Sequence, residues 1–246
     1  MQSYQKLISA RTQNKKLISV LVDPENYTPD LLMRLIQQVH RCPVDFVLVG
    51  GSMVSESVDN VVLTLKKHLT QPIILFPGNP SQVSKHADSL LFLSLISGRN
   101  PELLIGQHVQ SAPYLRKLNM EVIPTGYILI DGGAPSAVQY MSQTQPIPAD
   151  KTDIIKATAI AGEMLGLKAL YLEAGSGANK PVTTQAIQAV RQAVDIPLIC
   201  GGGIQSANRL DNILQAGADM AVIGNVLEQR PEALSQIIST VLSANC

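Results

Sequence analysis

The chain has 246 residues, close to the ~250 of one eight-unit (β/α)8 barrel and enough to bury a substantial core. Nineteen basic side chains balance nineteen acidic ones, which excludes a protein drawn by bulk charge to nucleic acid or an anionic membrane. Cys42, Cys200 and Cys246 are scattered, with neither a disulfide framework nor metal-ligand spacing, as expected in a reducing cytoplasm.

The first twenty residues are polar and basic without an apolar signal core, and no run of ~18 apolar residues follows. A soluble, cytoplasmic chain is expected, one that handles any lipid in a groove. Runs rich in Val, Ile and Leu predict parallel strands at Leu17–Val22, Phe46–Val49, Ile73–Phe76, Ser89–Leu95, Glu121–Ile130, Ala169–Glu173, Pro197–Cys200 and Met220–Ile223. Amphipathic stretches between them predict helices at Asp30–Arg41, Ser55–His68, Pro101–Leu118, Thr152–Leu165, Thr183–Val194, Ser206–Ala216 and Pro231–Ser243. Pro29 and Pro231 suit first turns, and Gly166 and Gly217 suit helix ends. The alternation predicts a (β/α)8 TIM barrel, a single domain over residues 1–246.

One unit departs from this pattern. Between the third and fourth strands lies only PGNPSQVSKHAD, residues 77–88, with two prolines and a glycine. It is either a short helix or extended segment packed on the barrel, or a missing helix that leaves an apolar slot where a hydrocarbon chain can lie.

In this fold chemistry belongs to the C-terminal strand ends. Asp23 ends the first strand in LVDPEN, either capping the loop or offering a carboxylate to Mg2+ and phosphate oxygens. The second strand ends in Gly50–Ser52, where glycines admit a close ligand and Ser52 either meets a metal or phosphate or caps the next helix. The sixth ends in YLEAGSGA, where Glu173 is either salt-bridged or accepts a substrate proton or hydroxyl. LICGGGI and AVIGN end the seventh and eighth in bare backbone N–H groups, suited to a phosphate monoester. Asp45 and Asp219 begin strands and are expected to be structural. No strand ends in lysine, which argues against a Schiff-base aldolase.

The set VDPEN, VGGS, FPGNP, SLISGRNP, IPTGYIL, TQPIP, YLEAGSGA, GGGI and IGN, spread in order from residue 22 to 225, resembles the geranylgeranylglyceryl phosphate synthase family. The resemblance implies an enzyme that joins sn-glycerol 1-phosphate to a long-chain prenyl diphosphate through an ether, releases diphosphate and uses Mg2+. It implies Asp23 and Ser52 as metal ligands. Glycerol phosphate falls to Tyr171, Leu172, Glu173, Ala174, Gly175, Ser176 and Gly177, the pair Gly202 and Gly203, and the pair Gly224 and Asn225. Tyr127 matches an aromatic position along the prenyl path, and the family's barrel also lacks its third helix. Asp23 and Glu173 are the expected catalytic residues. Geranylgeranyl is the expected chain and heptaprenyl the alternative, with a homo-oligomer, no nucleic-acid partner and at most transient membrane contact. A flavin-binding or non-catalytic phosphate barrel is the rival reading. Arg99, after the fourth strand, could assist the leaving diphosphate or form a surface ion pair.

Overall fold

Two needs shape each strand: a parallel barrel strand meets the packed interior on one side and a layer of helices on the other, so nearly every position must be apolar. The structure, a computed structural model, describes residues 2–54 and 57–239. The strands are β1 (Leu17–Val22), β2 (Phe46–Val49), β3 (Ile73–Leu75), β4 (Ser89–Leu95), β5 (Glu121–Leu129), β6 (Ala169–Glu173), β7 (Leu198–Gly201) and β8 (Met220–Ile223). Among the described residues they pair in parallel in chain order, and β8 closes on β1. Alternation then sorts the side chains. Phe46, Leu48, Ile74, Leu91, Tyr127, Tyr171 and Met220 fill the interior, whereas Val47, Val49, Leu170, Leu172 and Cys200 face the helices.

The helical layer comprises α2 (Pro29–Arg41), α3 (Val58–His68), α4 (Gln107–Leu118), α6 (Thr152–Met164), α7 (Thr184–Arg191), α8 (Ala207–Gln215) and the short α9 (Asn225–Gln229) and α10 (Ala233–Ile237). Gly166 and Gly217 take positive φ at the ends of α6 and α8, as their positions in the sequence predict. The helix expected from Pro101 begins as a π turn over Glu102–Gly106 before α4. The expected helices Ser55–His68 and Pro231–Ser243 extend beyond the described residues, at residues 55–56 and from 240 onward.

Three helices are additions to the sequence reading, the short α9 among them. Helix α1 (Ser3–Thr12) closes the bottom of the barrel, inserting Leu7 and Ala10 into the interior cluster. It is pinned by the Ser3 N–H on Glu121 (2.9 Å) and by Lys6, which pairs with Asp45 at 3.0 Å. Helix α5 (Ala137–Ser142) leans over the top. Asp45 and Asp219 are structural, as expected: each accepts a strand N–H at the bottom, from Ile18 (3.0 Å) and Leu198 (2.8 Å). Among the described residues no helix lies between β3 and β4. Residues 77–88 form turns and bends, held by Gln82, whose buried amide accepts from Gly78 N–H (3.0 Å) and donates to the Gly51 carbonyl (2.9 Å). The third helix is missing.

Candidate active site

The strand ends surround a mouth of about 350 Å3 that brings together Asp23, Ser52, Tyr127, Tyr171, Glu173, Ser176, Gly177, Gly202, Gly203, Gly224 and Asn225. Asp23 follows β1 and turns the chain, accepting the Glu25 N–H at 3.2 Å. The cap and the carboxylate offered to the mouth are thus one arrangement. Burial in the mouth raises the Asp23 carboxyl above its ordinary value, against the opposing pull of the Glu25 N–H. Gly51 passes so close that a Cβ there would collide with the carboxylate, which is why the GGS turn carries glycine. Ser52 lies on the same wall. One carboxylate and one hydroxyl suit a hard cation that keeps water and takes its other oxygens from a phosphate, the habit of Mg2+. Among the described residues no group of three or more His, Cys, Asp or Glu could hold a metal alone.

Glu173 ends β6 pointing inward, only 6% exposed. Its carboxylate accepts the Gly175 N–H at 2.7 Å and a hydrogen bond from the Tyr171 hydroxyl. Desolvation outweighs both and raises its pKa to about 7. Below it Phe76, Tyr127 and Tyr171 make an aromatic floor, with Tyr127 stacked on Tyr171 at 5.5 Å and Phe76 tilted on Tyr171 at 4.9 Å. Leu172 and Ala174 fall on the other parity and bury their side chains in the outer layer, so only their backbone can serve the mouth. The Gly175 N–H is already committed to Glu173.

After β7 the chain turns through two left-handed residues, Gly202 (φ +82) and Gly203 (φ +70). A Cβ at Gly202 would strike the Glu173 carboxylate, so the turn and that carboxylate require each other. Asn225 links β8 to the loop after β6: its Oδ1 accepts from Ser176 Oγ (3.1 Å) and Gly177 N–H (3.2 Å). The wall carries Asp23, Glu25, Glu173 and Glu228, and among the described residues it includes no lysine or arginine. An anion here must rely on backbone N–H groups or an accompanying cation.

An apolar groove leaves the mouth sideways. It holds about 210 Å3 between Phe76, Leu93, Leu95, Leu103, Tyr127 and Val138, beside the segment that replaces the third helix. A smaller hollow continues it between Val83, Leu90, Phe92, His108 and Leu115. This is the slot expected from residues 77–88, and Tyr127 stands at the junction of groove and mouth.

Arg99 folds away, donating to its own loop at the Gly98 carbonyl (2.7 Å). The sequence reading missed Phe76, Gln82, Val138 and Glu228. Glu228 is half-buried, and its carboxyl is raised chiefly by burial while Asn26 and Asn225 hydrogen-bond it. Of these only Phe76, at the end of a predicted strand, carried a positional signal.

A cup over β6–β8 joined to a hydrocarbon groove at β3–β4 defines a (β/α)8 barrel enzyme of the prenyltransferase class. The chain belongs to the PcrB family, which it matches over residues 10–244. It is 48% identical over 236 residues, 96% of this chain and 95% of the other, to the geranylgeranylglyceryl phosphate synthase of Spirosoma linguale. To the enzyme of that name from Pyrococcus furiosus it is 37% identical over 226 residues, covering 91% and 89%. The crystal structure of (S)-3-O-geranylgeranylglyceryl phosphate synthase from Thermoplasma acidophilum with sn-glycerol-1-phosphate superposes with a TM-score of 0.91, at 31% identity and 98% coverage of both chains.

Proposed function

We propose that the protein joins sn-glycerol 1-phosphate to geranylgeranyl diphosphate in an ether linkage, releasing diphosphate. The observation that carries this reading is the continuity of the two compartments: the mouth that holds the glycine cup and the apolar groove share Ser52, Phe76, Tyr127 and Val138. Phosphate sits against the 202–203 turn and the Gly224–Asn225 corner, and the glycerol hydroxyls reach Glu173. The prenyl chain lies along the groove with its diphosphate toward Asp23. Mg2+, held by Asp23 and Ser52 when bound, neutralises charge on the leaving group.

In the reaction the allylic C–O bond breaks and its electron pair leaves with diphosphate. The terminal glycerol oxygen forms the new C–O bond and its proton passes to Glu173. With a pKa of about 7, Glu173 is substantially ionised at neutral pH and basic enough to accept that proton. Phe76, Tyr127 and Tyr171 turn π surface toward the carbon that gains positive charge. The buried floor keeps water from competing for that carbon.

The proposed setting is the cytoplasm, with transient membrane contact as the lipid product leaves. Among the described residues no helix is long and apolar enough to cross a membrane. Assembly into a homo-oligomer belongs to the same proposal and is supported by the exposed Ile105, Val109 and Tyr114 along the π turn and α4. The test is diphosphate release on mixing sn-glycerol 1-phosphate with a ladder of prenyl diphosphates, with and without Mg2+. Release that needs both substrates and the metal, peaking at geranylgeranyl, is expected. A peak at heptaprenyl replaces the chain assignment alone, and absence of coupled release overturns the proposal.

A further inference from the structure

The geometry points to Arg209 as the positioning residue that sets the phosphate cup, although it stands outside the mouth. Its guanidinium donates to the Gly203 carbonyl at 2.8 Å and to the Asn179 carbonyl at 3.2 Å. It thereby clamps the turn after β7 to the loop after β6. The inference rests on the reading of that cup as the sn-glycerol 1-phosphate site.

Three observations carry it. The first is peptide geometry. The Gly203–Ile204 peptide is trans, so its carbonyl and N–H point in opposite directions. Residues 202–205 line the mouth while Arg209 approaches from the helix side, so holding the Gly203 carbonyl toward Arg209 aims the Ile204 N–H into the cup. Among the described residues neither the Gly203 nor the Ile204 N–H has an acceptor, which leaves both for an anion.

The second is the cost of the conformation. Gly203 holds φ +70 where a Cβ would meet the Lys180–Pro181 backbone, and a glycine turn without a constraint samples many alternatives. A forked guanidinium binding two carbonyls from two loops selects one of them, as a point charge on a flexible stem cannot.

The third is charge. Arg209 lies in the first turn of α8, where a cation adds to the positive helix end and is locally unfavourable. On the other side of the glycine turn the mouth displays Asp23, Glu25, Glu173 and Glu228. A cation behind the glycine turn offsets that negative field where a phosphate must settle, so the placement makes sense if an anion is bound there.

The experiment is calorimetric titration of sn-glycerol 1-phosphate, without prenyl diphosphate, into wild type, Arg209→Met and Arg209→Lys, with thermal unfolding of each. Loss of two charge-assisted hydrogen bonds that shape the cup is expected to weaken binding by about tenfold in Arg209→Met, with Arg209→Lys between the two. In steady state the loss appears in KM for sn-glycerol 1-phosphate, not in KM for the prenyl diphosphate, and methylguanidinium added to Arg209→Ala restores part of the affinity. A merely structural residue would lower the melting temperature and leave the affinity of the folded fraction unchanged. That result, or wild-type affinity in Arg209→Lys should Arg209→Met fail to fold, overturns the inference. Failure of wild type itself to bind sn-glycerol 1-phosphate overturns the assignment of the cup, a distinguishable result.

Discussion

The cup over β6–β8 and the groove at β3–β4 share one mouth and are made by opposite means. The cup is backbone: two left-handed glycines, an asparagine bridge and a buried carboxylate that a single Cβ would displace. The groove is side chain: Leu93, Leu95, Leu103 and Phe76 around a space left by an absent helix. Hydrogen-bonding geometry is nearly all-or-none, whereas apolar contact accumulates by area. Changes in the cup should therefore act as switches and changes in the groove as dials.

The largest effect is expected in the mouth, at the carboxylate proposed to face the leaving group. Asp23→Asn should lower kcat by ~10²-fold or more while the melting temperature holds or rises, because a half-buried mouth carboxylate carries a desolvation penalty and no core contact. A wild-type rate across a Mg2+ titration would remove Asp23 from the leaving-group end.

Next stands Glu173→Gln, expected to cost about 10²-fold in kcat and to flatten a pH profile that rises through about 7 in the wild type. Stability should respond with the opposite sign. The folded-state pKa of about 7 lies above the ordinary 4.5, so the unfolded chain releases that proton first as pH rises. The wild type therefore loses stability between about 4.5 and 7, and Glu173→Gln should not. Parallel melting curves at pH 5 and pH 8 measure this; identical slopes would show that Glu173 titrates normally.

Gly203→Val should act on one substrate only. Its Cβ would press on the Lys180–Pro181 backbone from 3.0 Å at a strained φ, rearranging the cup from behind. Affinity for sn-glycerol 1-phosphate is expected to fall about tenfold, while prenyl diphosphate binding is kept. Equal losses for both substrates would break the separation of the two compartments.

The smallest and most graded effect belongs to the groove. Leu93→Trp should shorten the usable chain, shifting preference toward shorter diphosphates at ~0.8 kcal/mol per methylene excluded and leaving glycerol phosphate affinity unchanged. A uniform loss across the whole ladder would mean the chain lies elsewhere.

The barrel was legible because strand periodicity is strict and glycine marks where strands stop. The place of Glu173 in the mouth was legible as the last inward residue of its strand, and those of Asp23 and Ser52 as polar residues just past theirs. Even the groove could be read, as a shortage of residues between Leu75 and Ser89. What escaped depends on tertiary partners. Helix α1 has too few apolar positions on one stripe to declare itself and is defined by Glu121 and Asp45, far along the chain. Gln82 and Arg209 are ordinary polar residues until the carbonyls of Gly51 and Gly203 come within reach. Leu172 and Ala174 were grouped with the loop they precede, and strand parity turns their side chains outward.

The side opening at β3–β4 also bears on the economy of the catalytic cycle. In the proposed binding mode a prenyl tail would make the same contacts with Phe76, Leu93 and Leu103 before and after the ether forms, so the groove would hold substrate and product alike. Energy of that kind lowers KM without lowering the chemical barrier. It also lengthens the residence of the finished lipid, and turnover should then be set by departure of the tail through the flank. A detergent micelle or vesicle that accepts the tail is thereby an accelerator of the steady state, though it touches none of the reacting atoms.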